Sequence, residues 1–279
     1  MSQTEVLKYF ATWIERETGI VYEEQNLYQL ADRLETLAKH FKLGSTHELW
    51  QKAQGGISGE FRQLLVDIAT NNETSFFRDA KFYECLEASL LPKLLDTKRP
   101  LQDLQVWSVA SSTGQEPYTL AMLLSELAEK VYQKPPKILA TDISTRVLEK
   151  AREGRYSDLE IRRGMPERLL AKYFKKDAAG LWTLDSKIRG MVDFQQLNLR
   201  TPFAYAQSFD LVLCRNVLIY QRLSAKIDII QRLAKHIRPG GVFLLGSGES
   251  LLGLSNDFQQ SLVDGVAVYT RKVGQQNAA

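Results

Sequence analysis

"VWSVASSTGQEPYTLAML", residues 106–123, passes from an apolar strand into an amphipathic helix through a turn of small and polar residues. In proteins that alternate strands and helices, such a turn is a ligand site, because strand carboxyl ends and helix amino termini converge there. A dinucleotide-binding fold carries G-x-G-x-x-G at this place, so that the backbone can approach a pyrophosphate. Here a single glycine, Gly114, is followed by Gln115, Glu116 and Pro117. An NAD-dependent dehydrogenase is therefore disfavoured. Glu116, which phosphate would repel, suits a positively charged ligand group.

Working outward, the same grammar repeats. "LQVWSVA" (104–110), "KILATD" (137–142), "FDLVLC" (209–214) and "GVFLLGS" (241–247) are apolar strands, with helices expected through Leu127, through Ala151 and over 224–237. Continuous apolar strands separated by helices predict a Rossmann-like α/β fold with a mostly parallel sheet covered on both faces. The residues just after each strand are then the candidates: Ser111 to Glu116, Asp142, Asn198 with Leu199 after a third strand, and Arg215 with Asn216. An acid ending the second strand can accept hydrogen bonds from both ribose hydroxyls. Asp142 fits that role, and it fits equally a carboxylate at the amino terminus of the helix "ISTRVLEKA".

Residues 1–78 read as helices only. Val6, Phe10, Trp13 and Ile14 form a face that stops at Gly19, and Leu27, Leu30, Leu34, Leu37 and Phe41 form another that stops at Gly44. "STHE" (45–48) is a capping box opening a third helix that ends at Gly55 and Gly56, and Phe61, Leu64, Leu65 and Ile68 mark a fourth. This predicts a small all-helical N-terminal domain with its linker over 1–78 and an α/β domain over 79–279. Between about 156 and 196 the alternation lapses. Pro166 opens a short helix ending near Phe174, and "GLWTLDSKIRGMVDFQQLNL" alternates with strand period about a turn at Asp185 and Ser186, which predicts an inserted small antiparallel β subdomain. The tail "GQQNAA" is expected to be disordered.

A chain of 279 residues suits about two domains, and 44% hydrophobic with 25% charged residues is an ordinary soluble composition. No stretch approaches the roughly 20 apolar residues of a membrane span. The start reads as an acidic amphipathic helix rather than a signal peptide, so a cytoplasmic location without membrane insertion is expected. Residues 1–78 hold 8 Lys/Arg against 11 Asp/Glu within a chain of net charge +3, too little imbalance for a nucleic-acid stripe. Cys85 and Cys214 lie in apolar contexts without metal-like spacing, and His40, His47 and His236 lie on predicted helices without companion ligands. No metal site is expected.

"IRPGG" (237–241), taken with "FDLVLCRN" and the acid after the second strand, resembles class I S-adenosylmethionine methyltransferases. "NNETSFFRD" (71–79) narrows this: it looks like the N-x-T-x-F-F-R segment of the chemotaxis receptor methyltransferase family. "ASSTGQEPYTLAM", "ATDISTRVLEKAREGRY", "FDLVLCRNVLIY" and "IRPGGVFLLGSGES" follow that family's pattern in its order and spacing. The resemblance implies a cytoplasmic enzyme, recruited to membrane receptor arrays by its substrates. It would methylate glutamate side chains on the helical signalling region of chemoreceptors, with S-adenosylmethionine as cofactor and S-adenosylhomocysteine as product.

Carried over by motif, Asn72, Thr74 and Arg78 border the cofactor's methionine end and the reacting methyl. Glu116 meets its amino group, Asp142 the ribose, Asn198 and Leu199 the adenine, and Arg215 with Asn216 the pocket floor. Tyr220 faces the transferred methyl, and Arg78 orients the acceptor carboxylate. Viewed alone, Arg78 could equally be a structural ion-pair partner, and Phe76 and Phe77 read as core packing of the linker. The family presents a basic face on the helix "LYQLADRLETLAKHFKL", where Arg33, Lys39 and Lys42 are here offset by Asp32 and Glu35. Some members bind a C-terminal receptor pentapeptide through a longer loop in the β subdomain. "KKDAAGLW" (175–182) is short for that, so tether-independent action is expected. Two other readings stand beside this one: a methyltransferase of the same fold acting on a small molecule or nucleic acid, and a non-catalytic S-adenosylmethionine sensor.

Overall fold

The structure is a computed structural model that describes residues 2–95, 99–206 and 208–273, so the tail 274–279 lies outside the described residues. Four helices open the chain: α1 (Gln3–Thr18), α2 (Leu27–His40), α3 (Thr46–Gln54) and α4 (Gly59–Ala69). Their apolar faces meet in one core that includes Phe10, Ile14, Leu30, Leu34, Leu49 and Leu65. α1 starts with a capping box of Ser2 and Glu5 and stops where Gly19 turns left-handed at φ 78°. Two local expectations shift. α2 closes before Gly44, with Lys42 taking the left-handed conformation at φ 56°. Ser45 does cap α3 by accepting the Glu48 N–H (3.2 Å), but Glu48 reaches back to the N–H of Gly44 (3.0 Å) rather than to that of Ser45.

After the linker 70–79, α5 (Ala80–Cys85) runs through a single π turn (Leu86–Leu90) into α6 (Leu91–Leu95). Then come β1 (Val106–Val109), α7 (Gln115–Lys130), β2 (Ile138–Asp142) and α8 (Thr145–Glu153). The inserted segment holds β3 (Arg155–Tyr156), α9 (Asp158–Arg162), α10 (Glu167–Tyr173), β4 (Phe174–Lys176), β5 (Trp182–Leu184) and α11 (Ser186–Arg189). The chain finishes with β6 (Val192–Gln196), β7 (Phe209–Cys214), α12 (Leu223–His236), β8 (Ile237–Leu245), β9 (Phe258–Val263) and β10 (Val266–Arg271).

The large sheet has the order β6-β2-β1-β7-β8-β10-β9. β6, β2, β1, β7 and β8 pair in parallel, and β10 runs antiparallel to β8 and β9. Together with the helices on both faces this is the Rossmann-like α/β architecture that the alternating strands and helices predict. β1, β2 and β7 are buried along their whole length, which is why they read as unbroken apolar runs. Trp107 is fully buried on one face, with its indole N–H donating to the Thr141 hydroxyl (3.0 Å), so its large ring leaves no orphaned donor. The strand order reverses between β1 and β7, and the crevice beyond their carboxyl ends is where a ligand belongs.

The run 180–199 corrects the sequence reading. Only β5 pairs with β3 and β4 in the small antiparallel sheet; Asp185 caps α11 instead of forming a hairpin turn, and β6 is the edge of the large sheet beside β2. The strand-like alternation was real, but it belonged to two different sheets. The strand expected over 241–247 starts earlier: β8 begins directly at Ile237 and runs through Pro239 and the glycines of "IRPGG", with a register shift against β7 between Phe209 and Leu211. α10 is tied to α7 by Glu126, a buried carboxylate that binds Arg168, Lys172 (2.6 Å) and the Tyr173 hydroxyl (2.7 Å). Burial raises its pKa, but those three partners outweigh the burial and hold it down at about 2.

No helix among the described residues is long and apolar enough to cross a membrane. Among them, no group of three His, Cys, Asp or Glu side chains is arranged to hold a metal ion, and Cys85 and Cys214 are buried free thiols.

Candidate active site

Beyond the carboxyl ends of β1, β2, β6 and β7 lies a cleft of about 980 Å³ of space, part of it open to solvent. Its lining brings together Asn72, Thr74, Arg78, Glu116, Asp142, Asn198, Leu199, Arg215, Asn216 and Tyr220, the ten residues to which the resemblance gives a role at the cofactor or the methyl; of the turn after β1 it takes Ser111, Ser112 and Glu116, and not Thr113, Gly114 or Gln115.

The turn after β1 is tighter than its composition suggests. Ala110 (φ 54°) and Ser112 (φ 50°) are left-handed without being glycine, and Gly114 (φ 93°) follows. Such conformations persist only where surroundings hold them. The Ser111 N–H donates to the Thr141 carbonyl (2.8 Å), the Ser112 N–H to Asp142 Oδ2 (2.9 Å), and the Ser112 hydroxyl to the Asn72 carbonyl (2.8 Å). Gly114 is needed for space as well as for φ: a Cβ there would lie 3.1 Å from each of Ala151, Tyr118 and Tyr156.

Glu116 enters the pocket from the first turn of α7. Its oxygens accept from the Ser108 hydroxyl (2.9 Å) and from Arg215 (3.3 Å). Burial pushes its pKa up, opposed by the Arg215 charge and the Ser108 hydrogen bond. Asp142, also buried, accepts the N–H groups of Ser112 and Ser144 (3.0 Å), and burial again raises its pKa against those hydrogen bonds. Ser144 itself caps α8, so the alternative role for Asp142 as the cap is taken by its neighbour. In both carboxylates each oxygen has one protein donor, which leaves further lone pairs for a ligand.

Arg215 is the hub. Its buried guanidinium binds Asp79 (2.5 Å) as well as Glu116, donates to the Arg78 carbonyl (3.2 Å), and stacks 4.0 Å above the ring centre of Phe82. Arg78 points the other way. It donates to the Glu73 carbonyl (3.1 Å), one bond for a fork of five donors. Tyr220 accepts from the Asn71 amide (2.8 Å). Phe76 is fully buried against Tyr156 and Phe174, and Phe77 packs on Tyr83, so the aromatic pair is linker core.

The helical domain closes one wall. Thr18 and Ile20 line the cleft, the Asn198 amide donates to the Glu17 carbonyl (2.7 Å), and the Val21 N–H donates to the Tyr220 carbonyl (3.1 Å).

Residues 72–266 match the CheR methyltransferase, SAM binding domain family. A chemotaxis protein methyltransferase of Vibrio anguillarum is 37% identical over 267 residues, covering 94% of this chain and 95% of that protein. Chemotaxis protein methyltransferase 1 of Pseudomonas aeruginosa is 36% identical over 267 residues, covering 94% and 96%. The chain belongs to the CheR methyltransferase family. It is an S-adenosylmethionine-dependent methyltransferase.

The pocket of this CheR family member suits that cofactor. It offers two carboxylates with spare lone pairs to an ammonium and to hydroxyls, and it presents no cluster of glycine N–H groups to a phosphate. Three polar atoms of residues in its wall, Ser111 Oγ, Arg215 Nε and Gln221 Oε1, are buried without a hydrogen-bond partner among the described residues, as expected of groups that await one. Three parts of the site were not anticipated from the sequence. Asp79 and Glu249 stood inside quoted motifs but carried no local pattern that assigns a contact. The wall from Thr18 and Ile20 joins segments about two hundred positions from Gln221, a pairing no spacing reveals.

Proposed function

We propose that the chain methylates side-chain carboxylates of specific glutamates on the helical cytoplasmic region of chemoreceptors, for sensory adaptation, acting in the cytoplasm at receptor arrays. The observation that carries this reading is the presence in the wall of one pocket of Tyr220 and of Arg78, which among the described residues commits only one donor, to the Glu73 carbonyl. The names of the relatives support the choice of a chemotaxis protein as acceptor.

When bound, S-adenosylmethionine supplies a methyl group on a positively charged sulfur, which a carboxylate oxygen can displace directly. A glutamate, with a pKa of about 4.3, is already ionised at neutral pH, so no general base is required. This agrees with a lining that contains neither histidine nor cysteine among the described residues. The chain's task is positional, and alignment of reactants is worth roughly 7–11 kcal/mol in favourable cases.

In this proposal Glu116 holds the ammonium and Asp142 the ribose hydroxyls. Asn198 and Leu199 border the adenine; Asn198 already donates one amide hydrogen to Glu17, which leaves its second. Asn72 and Thr74 border the methionine end, Arg215 and Asn216 form the floor, and Tyr220 faces the methyl. Arg78 orients the acceptor with paired donors. Tight pairing in the ground state alone would slow a step in which the anion loses its charge, so its benefit lies in alignment.

Docking through a basic face on α2 receives less support than the sequence suggested. Arg33 is turned inward, binding the Tyr22 hydroxyl (2.6 Å) and the last carbonyls of α4 at Ile68 (3.0 Å) and Ala69 (3.1 Å), while Lys39 and Lys42 remain exposed. The turn between β4 and β5 is closed on itself, with Asp177 accepting the N–H groups of Ala179 (2.9 Å) and Leu181 (3.0 Å). That favours action without a receptor pentapeptide.

The test is transfer of label from S-adenosylmethionine to receptor signalling domains with and without the C-terminal pentapeptide. Base-labile methyl esters that vanish when the acceptor glutamates are changed are expected, at equal rates on both substrates. Arg78→Ala should lower the rate by about 100-fold or more while S-adenosylhomocysteine affinity changes much less. Full activity in that variant would remove Arg78 from the mechanism.

A further inference from the structure

Glu249 lies in the loop after β8, remote in sequence from every residue assigned above. Its carboxylate collects main-chain N–H groups. Oε2 accepts from Asn216 (2.6 Å) and Gly246 (2.9 Å), and Oε1 accepts from Val217 (3.0 Å), Leu218 (2.8 Å) and Ile219 (3.3 Å). Four of these five donors are consecutive and form the turn that leaves β7, beginning with the left-handed Asn216 (φ 59°) and ending at Tyr220. Successive N–H groups pointing inward make an anion-binding concavity, and here the chain fills it with its own side chain.

The space is fitted to that carboxylate. A Cβ on Gly246 would come within 2.8 Å of the Asn216 side-chain nitrogen and 2.9 Å of Glu249 Oε2. With the backbone fixed there, two groups at the far end of the turn are fixed with it: the Tyr220 hydroxyl against Asn71 (2.8 Å) and the Tyr220 carbonyl against the Val21 N–H (3.1 Å).

We propose that Glu249 is a positioning residue for the methyl transfer: by gathering the N–H groups of 216–219 it sets where Tyr220 stands in the pocket. The inference rests on the reading of Tyr220 as the residue facing the methyl. Arg215 and Asn216, read as the pocket floor, adjoin this turn, whereas Glu116, Asp142, Asn198 and Leu199, read as meeting the ammonium, the ribose and the adenine, stand on other elements. Loss of Glu249 should therefore damage turnover more than cofactor affinity.

The experiment is Glu249→Gln, which keeps the shape but puts an NH2 among N–H donors. Turnover on the acceptor that the wild-type chain methylates should fall about tenfold or more, with S-adenosylhomocysteine affinity within about threefold of wild type. In a Tyr220→Phe background the same substitution should cost much less, since two residues acting through one geometry are not additive. Additive losses, or a fall in turnover matched by the fall in affinity, would overturn the proposal. Amide hydrogen exchange supplies an arm that needs no acceptor, so it decides even if the glutamate reading fails. Exchange at 216–219 should accelerate in Glu249→Gln while β1 and β7 stay protected; unchanged protection there overturns the idea. Should that variant fail to fold, Gly246→Ala crowds the same carboxylate and is read in the same way.

Discussion

The turns that leave β1 and β7 both line the pocket, and both start from residues that adopt left-handed backbone without being glycine: Ala110 and Ser112 in one, Asn216 in the other. Each is held by a carboxylate from a distant part of the chain. The two carboxylates divide their capacity differently. Asp142 accepts one N–H from the β1 turn and one from Ser144, keeping lone pairs that face a ligand. Glu249 accepts five N–H groups and is consumed by the scaffold. One turn is therefore stiffened by a group that keeps capacity for a ligand, the other by a group whose capacity the backbone takes up.

Asp142→Ala should break this contrast most severely, because it removes a backbone anchor and a ligand acceptor together. S-adenosylhomocysteine affinity is expected to fall roughly 100-fold, about 2.7 kcal/mol, by calorimetry. A loss no larger than threefold would make Asp142 a scaffold group like Glu249. Gly114→Ala tests the β1 turn alone: it puts a side chain on a left-handed φ and presses a methyl to 3.1 Å from three neighbours, which must give way. Stability should drop by about 1–3 kcal/mol in urea unfolding, whereas an unaffected midpoint would show that the turn adapts. The smallest effect sharpens the ligand-facing side. Burial raises the Glu116 pKa above its ordinary 4.5, and the ionised form is the one that attracts an ammonium. Affinity should then begin to weaken at a higher pH than for an exposed carboxylate, by about tenfold for each pH unit once below that pKa. Glu116→Gln should bind more weakly and show a weaker dependence; a wild-type affinity that weakens at no higher pH than an exposed carboxylate would give contradicts the assignment.

The same contrast explains what could be read in advance. The β1 turn announced itself because strand, turn and helix are contiguous, and Asp142 ends the very next strand of an alternating pattern. Fold class and the ten pocket residues followed from that grammar and from the resemblance of whole segments. Glu249 did not, because four of its five partners are main-chain atoms thirty or more residues away whose identities leave no mark on sequence. Alternation in 180–199 misled for a related reason: period shows that a segment is a strand, not which sheet it joins. Arg33 looked like surface charge because its partners, the end of α4 and Tyr22, meet it only in three dimensions.

Close to the pocket, the helical domain meets the α/β domain through main-chain atoms, the carbonyls of Glu17 and Thr18 and the N–H of Val21 against Asn198, Gln221 and Tyr220, while farther out side chains pair Glu15 with Arg222 and Gln63 with Gln196. Main-chain atoms survive substitution. The wall that the helical domain lends to the pocket should therefore tolerate a change of side chain at Glu17 or Val21, and a swap of this domain between relatives should keep cofactor affinity, provided that the stop of α1 at Gly19 and the Glu15–Arg222 pair are retained.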